Sequence, residues 1–296
     1  MSYSKFGRHW RQARNLSNKP CKAYPMTYAK RGIFIRFAYL LLAMVSFAVK
    51  KVSEADKHKK IVLCYHGVTD TQKLNFFKQM AILQYRVVAS TDLAYPYDHE
   101  IRHLPVCLTF DDAFGNLLSN VIPAITKLQI PITIFIPTGS LGKTPSWLQN
   151  SEHADGQEMV MSAAQIVTLK ENSLVHFGSH TADHPHLSTL KEEEIRGQLR
   201  ASKEIINIIV GEKTLELALP HGDYNEAVVQ VALEEGYEKI YSLEPVLYDD
   251  DYSADTHVLG RFSVSPDDWP IEFYLTINGA YAWLAPWRSF CRKLQR

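Results

Sequence analysis

The chain has 296 residues, 46% of them hydrophobic and 11% aromatic, which suits one large α/β domain or two small ones and excludes a disordered or fibrous protein. Its 32 basic and 32 acidic side chains cancel, yet residues 1–60 hold 14 Lys and Arg against 2 acids, leaving 18 against 30 in the remainder. A basic arm on an acidic body fits an anionic lipid surface better than nucleic acid here, because an apolar helix accompanies the charge and no Gly/Arg-rich or RNA-binding aromatic pattern does.

Residues 1–32 are polar and basic with no apolar period, the pattern of a disordered or surface-bound tail. The stretch from Ile33 to Val49 is apolar except for Arg36 and Ser46, and Lys50-Lys51 follow it. Its uninterrupted part, Phe37 to Val49, makes a helix of about 20 Å, short of the roughly 30 Å hydrocarbon core of a bilayer. Residues 33–51 are therefore expected to form a membrane-associated helix. It could lie in the interface, span with Arg36 snorkelling, or pack on the domain. No small-x-small cleavage site follows, which argues against a cleaved signal peptide. Cys21, Cys64, Cys107 and Cys291 lack CxxC spacing and neither support a disulfide framework nor exclude an oxidising compartment.

From Ile61 onward, short apolar runs alternate with amphipathic segments. Strands are predicted at Ile61–Tyr65, Arg86–Ala89, Val106–Phe110, Ile132–Ile136, Leu174–Phe177, Leu215–Leu219, Lys239–Ser242 and Val258–Val264. Helices are predicted at Gln72–Leu83, Asn116–Leu128, Ser162–Glu171, Thr189–Val210, Glu226–Glu235 and Ile271–Trp283. Thr189 with Glu192 reads as a capping box, and Asn225 and Gly236 bracket a helix. This alternation predicts a mostly parallel sheet, as a closed barrel or an open doubly wound sheet. The absence of a Gly-rich phosphate loop weakens the nucleotide-binding version of the open sheet. At the far end Trp283, Trp287 and Phe290 interleave with Arg288, Arg292, Lys293 and Arg296. Residues 271–296 thus read as a basic, aromatic amphipathic helix, either at a membrane interface or on the domain surface. Lysines on both sides of the first helix leave open which face of the membrane would hold the domain.

Polar chemistry collects where strands end. The run Val106–Phe110 stops at Asp111-Asp112, two like charges that need a nearby cation to stay ionised together, although such a pair also serves as a helix N-cap. Directly after the strand ending at Phe177 come His180 and His184, which with a carboxylate from another strand tip make a three-ligand set with an open position, the arrangement of a catalytic zinc. Spacing alone is weak, since a chain with 12 His supplies roughly half such a pair by chance. Pro185 takes His184 out of helical geometry, so both imidazoles would come from a turn. Pro220 and Gly222 fix a tight turn that aims the amide of His221 outward as an oxyanion donor, or form an ordinary strand-to-helix loop. His66 closes the first strand. In a closed parallel barrel these four tips share one face.

The motifs LCYHGVT (63–69), LTFDDAF (108–114), SHTADHPHLS (179–188) and ALPHGDYN (218–225), in this order, resemble the polysaccharide deacetylase family, carbohydrate esterase family 4 with its NodB-type domain. The similarity spans roughly Ile61 to Asp268, and the ordered set is far more specific than any one motif. It implies a distorted (β/α) barrel of about seven parallel strands and metal-dependent removal of acetyl groups from N-acetylated sugars of a polysaccharide or lipid-linked glycan. It implies Asp111 as general base, Asp112, His180 and His184 as ligands of a divalent metal, most simply Zn2+, and the His221 amide as oxyanion donor. The family's late histidine acid has no match after His257, and His66 takes that role by similarity to a subgroup with an N-terminal histidine. The Arg that pairs with the base is absent before Pro220, and Arg261 resembles a late Arg of the same subgroup. An O-acetyl glycan or xylan esterase using the same site and a non-catalytic membrane-associated glycan-binding protein remain open alternatives. The expected location is the inner, cytoplasmic membrane, with its face left open.

Overall fold

A computed structural model describes residues 32–52, 59–90, 104–149, 154–248 and 257–286. The basic segment 1–31, Cys21 and residues 287–296 with their aromatic-basic pattern lie outside the described residues.

Three five-residue apolar runs make the centre of the sheet: β1 (Ile61–Tyr65), β3 (Val106–Phe110) and β4 (Ile132–Ile136). Every residue of them is buried, as expected of parallel strands covered on both faces. The shorter strands are β2 (Val87–Val88), β5 (Val175–Ser179), β6 (Glu216–Ala218), β7 (Lys239–Tyr241), β8 (Val258–Leu259) and β9 (Phe262–Ser263). They pair in the order β8-β7-β6-β5-β4-β3-β1-β9, all parallel, with β2 alongside the first half of β3. β8 hydrogen-bonds β7 at one edge and β9 hydrogen-bonds β1 at the other, yet only Gly260 and Arg261 separate them in the chain. One segment thus joins the two edges. Counting β8 and β9 as a single broken strand, and β2 as an appendage, this is the distorted parallel barrel of about seven strands.

That break departs from the single strand predicted over Val258–Val264. Gly260 passes so close to the chain that a Cβ there would sit 1.9 Å from the Glu244 carbonyl oxygen, and Arg261 is wholly buried. Inside the barrel, Val62, Cys107, Phe135, Ala218, Tyr241 and Leu259 form an apolar plug. Side chains alternate along a strand, so Cys64 continues the inward row of Val62, and Thr109 and Asp111 continue that of Cys107. The barrel floor is apolar and its mouth is polar.

Helices cover the outside: α1 (Ile33–Val52), α2 (Lys73–Leu83), α3 (Asn116–Asn120), α4 (Ile122–Leu128), α5 (Ala163–Leu169), α6 (Glu192–Val210), α7 (Glu226–Glu234) and α8 (Pro270–Thr276). The helix predicted over Asn116–Leu128 divides at Val121. Pro123 has no N–H for the Ser119 carbonyl, which accepts instead from Lys73 Nζ at 2.8 Å. The Thr189/Glu192 box does not form. Thr189 Oγ1 donates to the His186 carbonyl at 2.7 Å, and the reciprocal bond is Lys191 N to Glu194 Oε2 at 2.9 Å. Asn225 caps α7 as expected, accepting from Val228 N at 3.0 Å. The helix predicted over Ile271–Trp283 stops at Thr276, and the chain turns through Gly279 at φ +71°.

α1 lies against the domain through Arg36, Leu40 and Ala43, spaced as one helical stripe. Arg36 Nε donates to Glu272 Oε1 at 2.7 Å, its Nη2 donates to Glu272 Oε2 and to the Asp267 carbonyl, and the guanidinium covers Trp269 at 4.0 Å. No helix among the described residues is long and apolar enough to cross a membrane.

Candidate active site

Asp111 and Asp112 follow β3 but do not cap a helix. Asp112 and Ala113 take left-handed φ values of 71° and 47°, and the N-cap of α3 is Gly115, with no side-chain bond. This reversal sends the two carboxylates to different partners. Asp111 faces Arg261 in a two-pronged ion pair, Nη1 to Oδ1 and Nη2 to Oδ2, both 2.7 Å. Arg261 is held in turn by the Ser242 carbonyl at 3.2 Å and Thr109 Oγ1 at 3.1 Å. Burial alone would raise the Asp111 pKa, but Arg261, with His180 and His66, outweighs it and keeps the carboxyl below the usual carboxylate range.

Asp112 faces the other way. Its Oδ1 stands 3.6 Å from His180 Nε2 and 3.5 Å from His184 Nε2, buried and without a hydrogen-bond partner. Tetrahedral ligands at about 2.1 Å from an ion lie about 3.4 Å from one another, so these three atoms fit a divalent cation. Burial, then Asp111 and Asp155, push the Asp112 carboxyl well up, which is the signature of a negative site wanting a positive charge. His180 Nδ1 lies 2.8 Å from the Ala218 carbonyl, so it carries the proton and leaves the Nε2 lone pair free. Burial lowers the pKa of both imidazoles, His184 strongly, and keeps them in the neutral form a metal needs. His184 takes φ 58° in a turn closed by its amide bond to Thr181 Oγ1 at 3.1 Å, so the pair comes from a loop.

His66 is half-buried at the tip of β1, with a ring nitrogen within 4.8 Å of Asp111 and of Cys64 Sγ. His221 occupies the left-handed region at φ 60°. Gly222 N and Asp223 N close its turn onto Leu219 and Pro220 carbonyls, so the His221 amide takes no part in closing it. Its ring stacks on His186 at 3.9 Å and meets His184 edge-on at 4.6 Å, and burial followed by His186 and His180 lowers its pKa to about 4. The structure therefore brings His66, Asp111, Asp112, His180, His184, His221 and Arg261 to one mouth.

Three further residues meet there. Cys64 Sγ donates to Asp111 Oδ2 at 3.3 Å, its thiol kept neutral chiefly by burial. The inward alternation of β1 could have found it. Trp147 stacks on His184 at 4.2 Å, and buried Asp155 packs against Gly67 so tightly that a Cβ there would lie 2.2 Å from its Oδ1. Both come from the loop after β4, which has no periodicity to read.

Residues 101–240 match the family model described as polysaccharide deacetylase. The chain is 26% identical over 161 residues to YxkH of Bacillus subtilis, covering 54% of this chain and 52% of that protein. It is 25% identical over 145 residues to a peptidoglycan-N-acetylglucosamine deacetylase of Bacillus cereus, covering 49% and 46% respectively. The chain thus spans about half the length of the curated relatives it matches. The fold superposes on the Streptococcus pyogenes deacetylase PplD in complex with acetate at TM-score 0.57 and 19% identity, covering 74% of this chain and 98% of that one. Through residues 101–240, this chain is similar to the polysaccharide deacetylase family.

Proposed function

We propose that the chain is a divalent-metal hydrolase that removes acetyl groups from N-acetylated amino sugars of a glycan. The observation that carries this reading is the split of the Asp111-Asp112 pair, one carboxylate on Arg261 and the other between two neutral imidazoles. A divalent ion held by Asp112, His180 and His184 would polarise the acetyl carbonyl and acidify water. Asp111, kept ionised by Arg261, takes the proton from the water that adds to that carbonyl. The His221 amide donates to the oxygen on which negative charge develops. Imidazolium at His66 gives its proton to the sugar nitrogen as the C–N bond breaks, and acetate and a free amino sugar leave. Support for an amino-sugar substrate comes from the family match and from the Bacillus cereus relative named for N-acetylglucosamine.

The test is acetate release from N-acetylated oligosaccharides by the zinc-loaded protein, with calorimetric zinc binding alongside. His180→Ala should lose both binding and turnover. Asp111→Asn should bind zinc and lose turnover. Near-normal acetate release by Asp111→Asn would overturn the assignment.

A further inference from the structure

We propose that α1 and α8 together form a surface that lies on an anionic bilayer, fixing the barrel to the membrane as a rigid body. On its outward side α1 exposes Ile33, Phe34, Ile35, Leu41, Leu42, Met44, Val45 and Val49, with Phe34 87% exposed. Every exposed position from Ile33 to Val49 is apolar. The face continues onto α8, where Ile271 and Tyr274, one turn apart, are also exposed.

A contiguous apolar face of this kind marks an interaction surface. Two observations select lipid as the occupant. Protein interfaces carry about one hydrogen bond per 100–200 Å², whereas the exposed side chains from Ile33 to Val49 offer neither donor nor acceptor. The adjoining chain is complementary to anionic headgroups, since residues 1–31 hold 8 basic side chains and no acid.

The inner side settles the geometry. Buried Arg36 is clamped by Glu272 and Trp269, Phe37 meets the Trp269 ring at 5.2 Å, Tyr39 meets Trp283 at 5.6 Å and Phe47 meets Tyr274 at 5.9 Å. Protein therefore lines about 17 Å of the helix, from Arg36 to Phe47, at 1.5 Å per residue. A helix covered along its flank cannot be ringed by acyl chains, so it lies in the interface plane instead of crossing. Ser265 follows β9 at the barrel mouth, and the clamp residues Asp267, Trp269 and Glu272 come directly after it. The surface is thereby tied to the rim of the site.

The experiment is flotation of the full chain with vesicles of phosphatidylcholine alone or mixed equally with phosphatidylglycerol. The parent should float with the mixed vesicles and less with the neutral ones. Leu41→Ser with Val45→Ser should cut partitioning by at least about tenfold, from the apolar area removed. Acetate release from a soluble oligosaccharide should not change. Ile271→Asp on α8 should cut partitioning at least about threefold, because a fixed surface engages both helices whereas a loose tether would use α1 alone. The proposal is overturned if the parent stays unbound, if Leu41→Ser with Val45→Ser floats like the parent, or if those substitutions dissociate a dimer without altering flotation. Unchanged binding by Ile271→Asp overturns the rigid surface. None of these outcomes depends on whether the chain deacetylates sugars.

Discussion

Replacing Arg261 by Met removes the guanidinium that holds Asp111 through two 2.7 Å bonds and leaves a carboxylate buried in the barrel mouth. Deleting one member of a buried ion pair costs about 3–5 kcal/mol, because the remaining charge has lost water and gained nothing. The loss here belongs toward the upper end. The same guanidinium serves the Ser242 carbonyl and Thr109 Oγ1, and it lies 5.5 Å from the Phe135 ring and 5.8 Å from the Tyr241 ring. For a domain of this size that corresponds to a melting temperature lower by about 6–20 °C. Asp111→Asn alone should cost a similar amount by stranding the guanidinium. The double variant should lose far less than the sum, with a coupling of at least about 2 kcal/mol. Urea unfolding of all four proteins, followed by circular dichroism at neutral pH with chelator present, measures the cycle free of metal. Losses that add to within about 0.5 kcal/mol would refute the claim that the pair acts as one unit.

Gly260→Ala should destabilise by more than 2 kcal/mol, because the new methyl meets a backbone oxygen at 1.9 Å, whereas Gly197→Ala in α6 has open space and should gain up to about 1 kcal/mol; thermal melts compare them directly. Burial raises the Asp268 carboxyl from 3.8 to about 7. The folded chain therefore keeps a proton that the unfolded chain releases across that window, and stability falls by up to about 4 kcal/mol as pH rises from 4 to 7 and levels off above. Asp268→Asn should flatten that slope, read from denaturation midpoints at several pH values. Trp147→Ala removes the ring stacked on His184 and should weaken zinc binding about tenfold by calorimetry, with the fold intact by circular dichroism.

The central strands were legible because β1, β3 and β4 are five-residue apolar runs that end at polar tips, and their bounds match the expectation residue for residue. The same polar tips pointed to six of the seven residues that meet at the barrel mouth, and Arg261, inside a predicted strand, came from the family resemblance alone. What could not be read were decisions made by distant partners. Nothing near Val258 announces that the strand must break, because the break is imposed by Glu244 crossing Gly260 and by Asp111 drawing Arg261 inward. Thr189 looked like a cap until His186 took its hydroxyl, and Pro123 mattered only because Lys73 could take over the carbonyl it abandoned. Trp147 and Asp155 reached the site through a loop whose local sequence says nothing of its destination.

The segment that joins the two sheet edges also sets a timetable for synthesis. Until Phe262 and Ser263 have left the ribosome, β1 has an uncovered edge for the duration of some 200 residues of elongation, and such an edge is a template for pairing with other nascent chains. The counter-charge for Asp111 emerges in that same late stretch, so a chain released before it would hold neither a sealed wall nor a neutralised carboxylate. The topology thus makes closure of the wall and neutralisation of Asp111 depend on the same late segment.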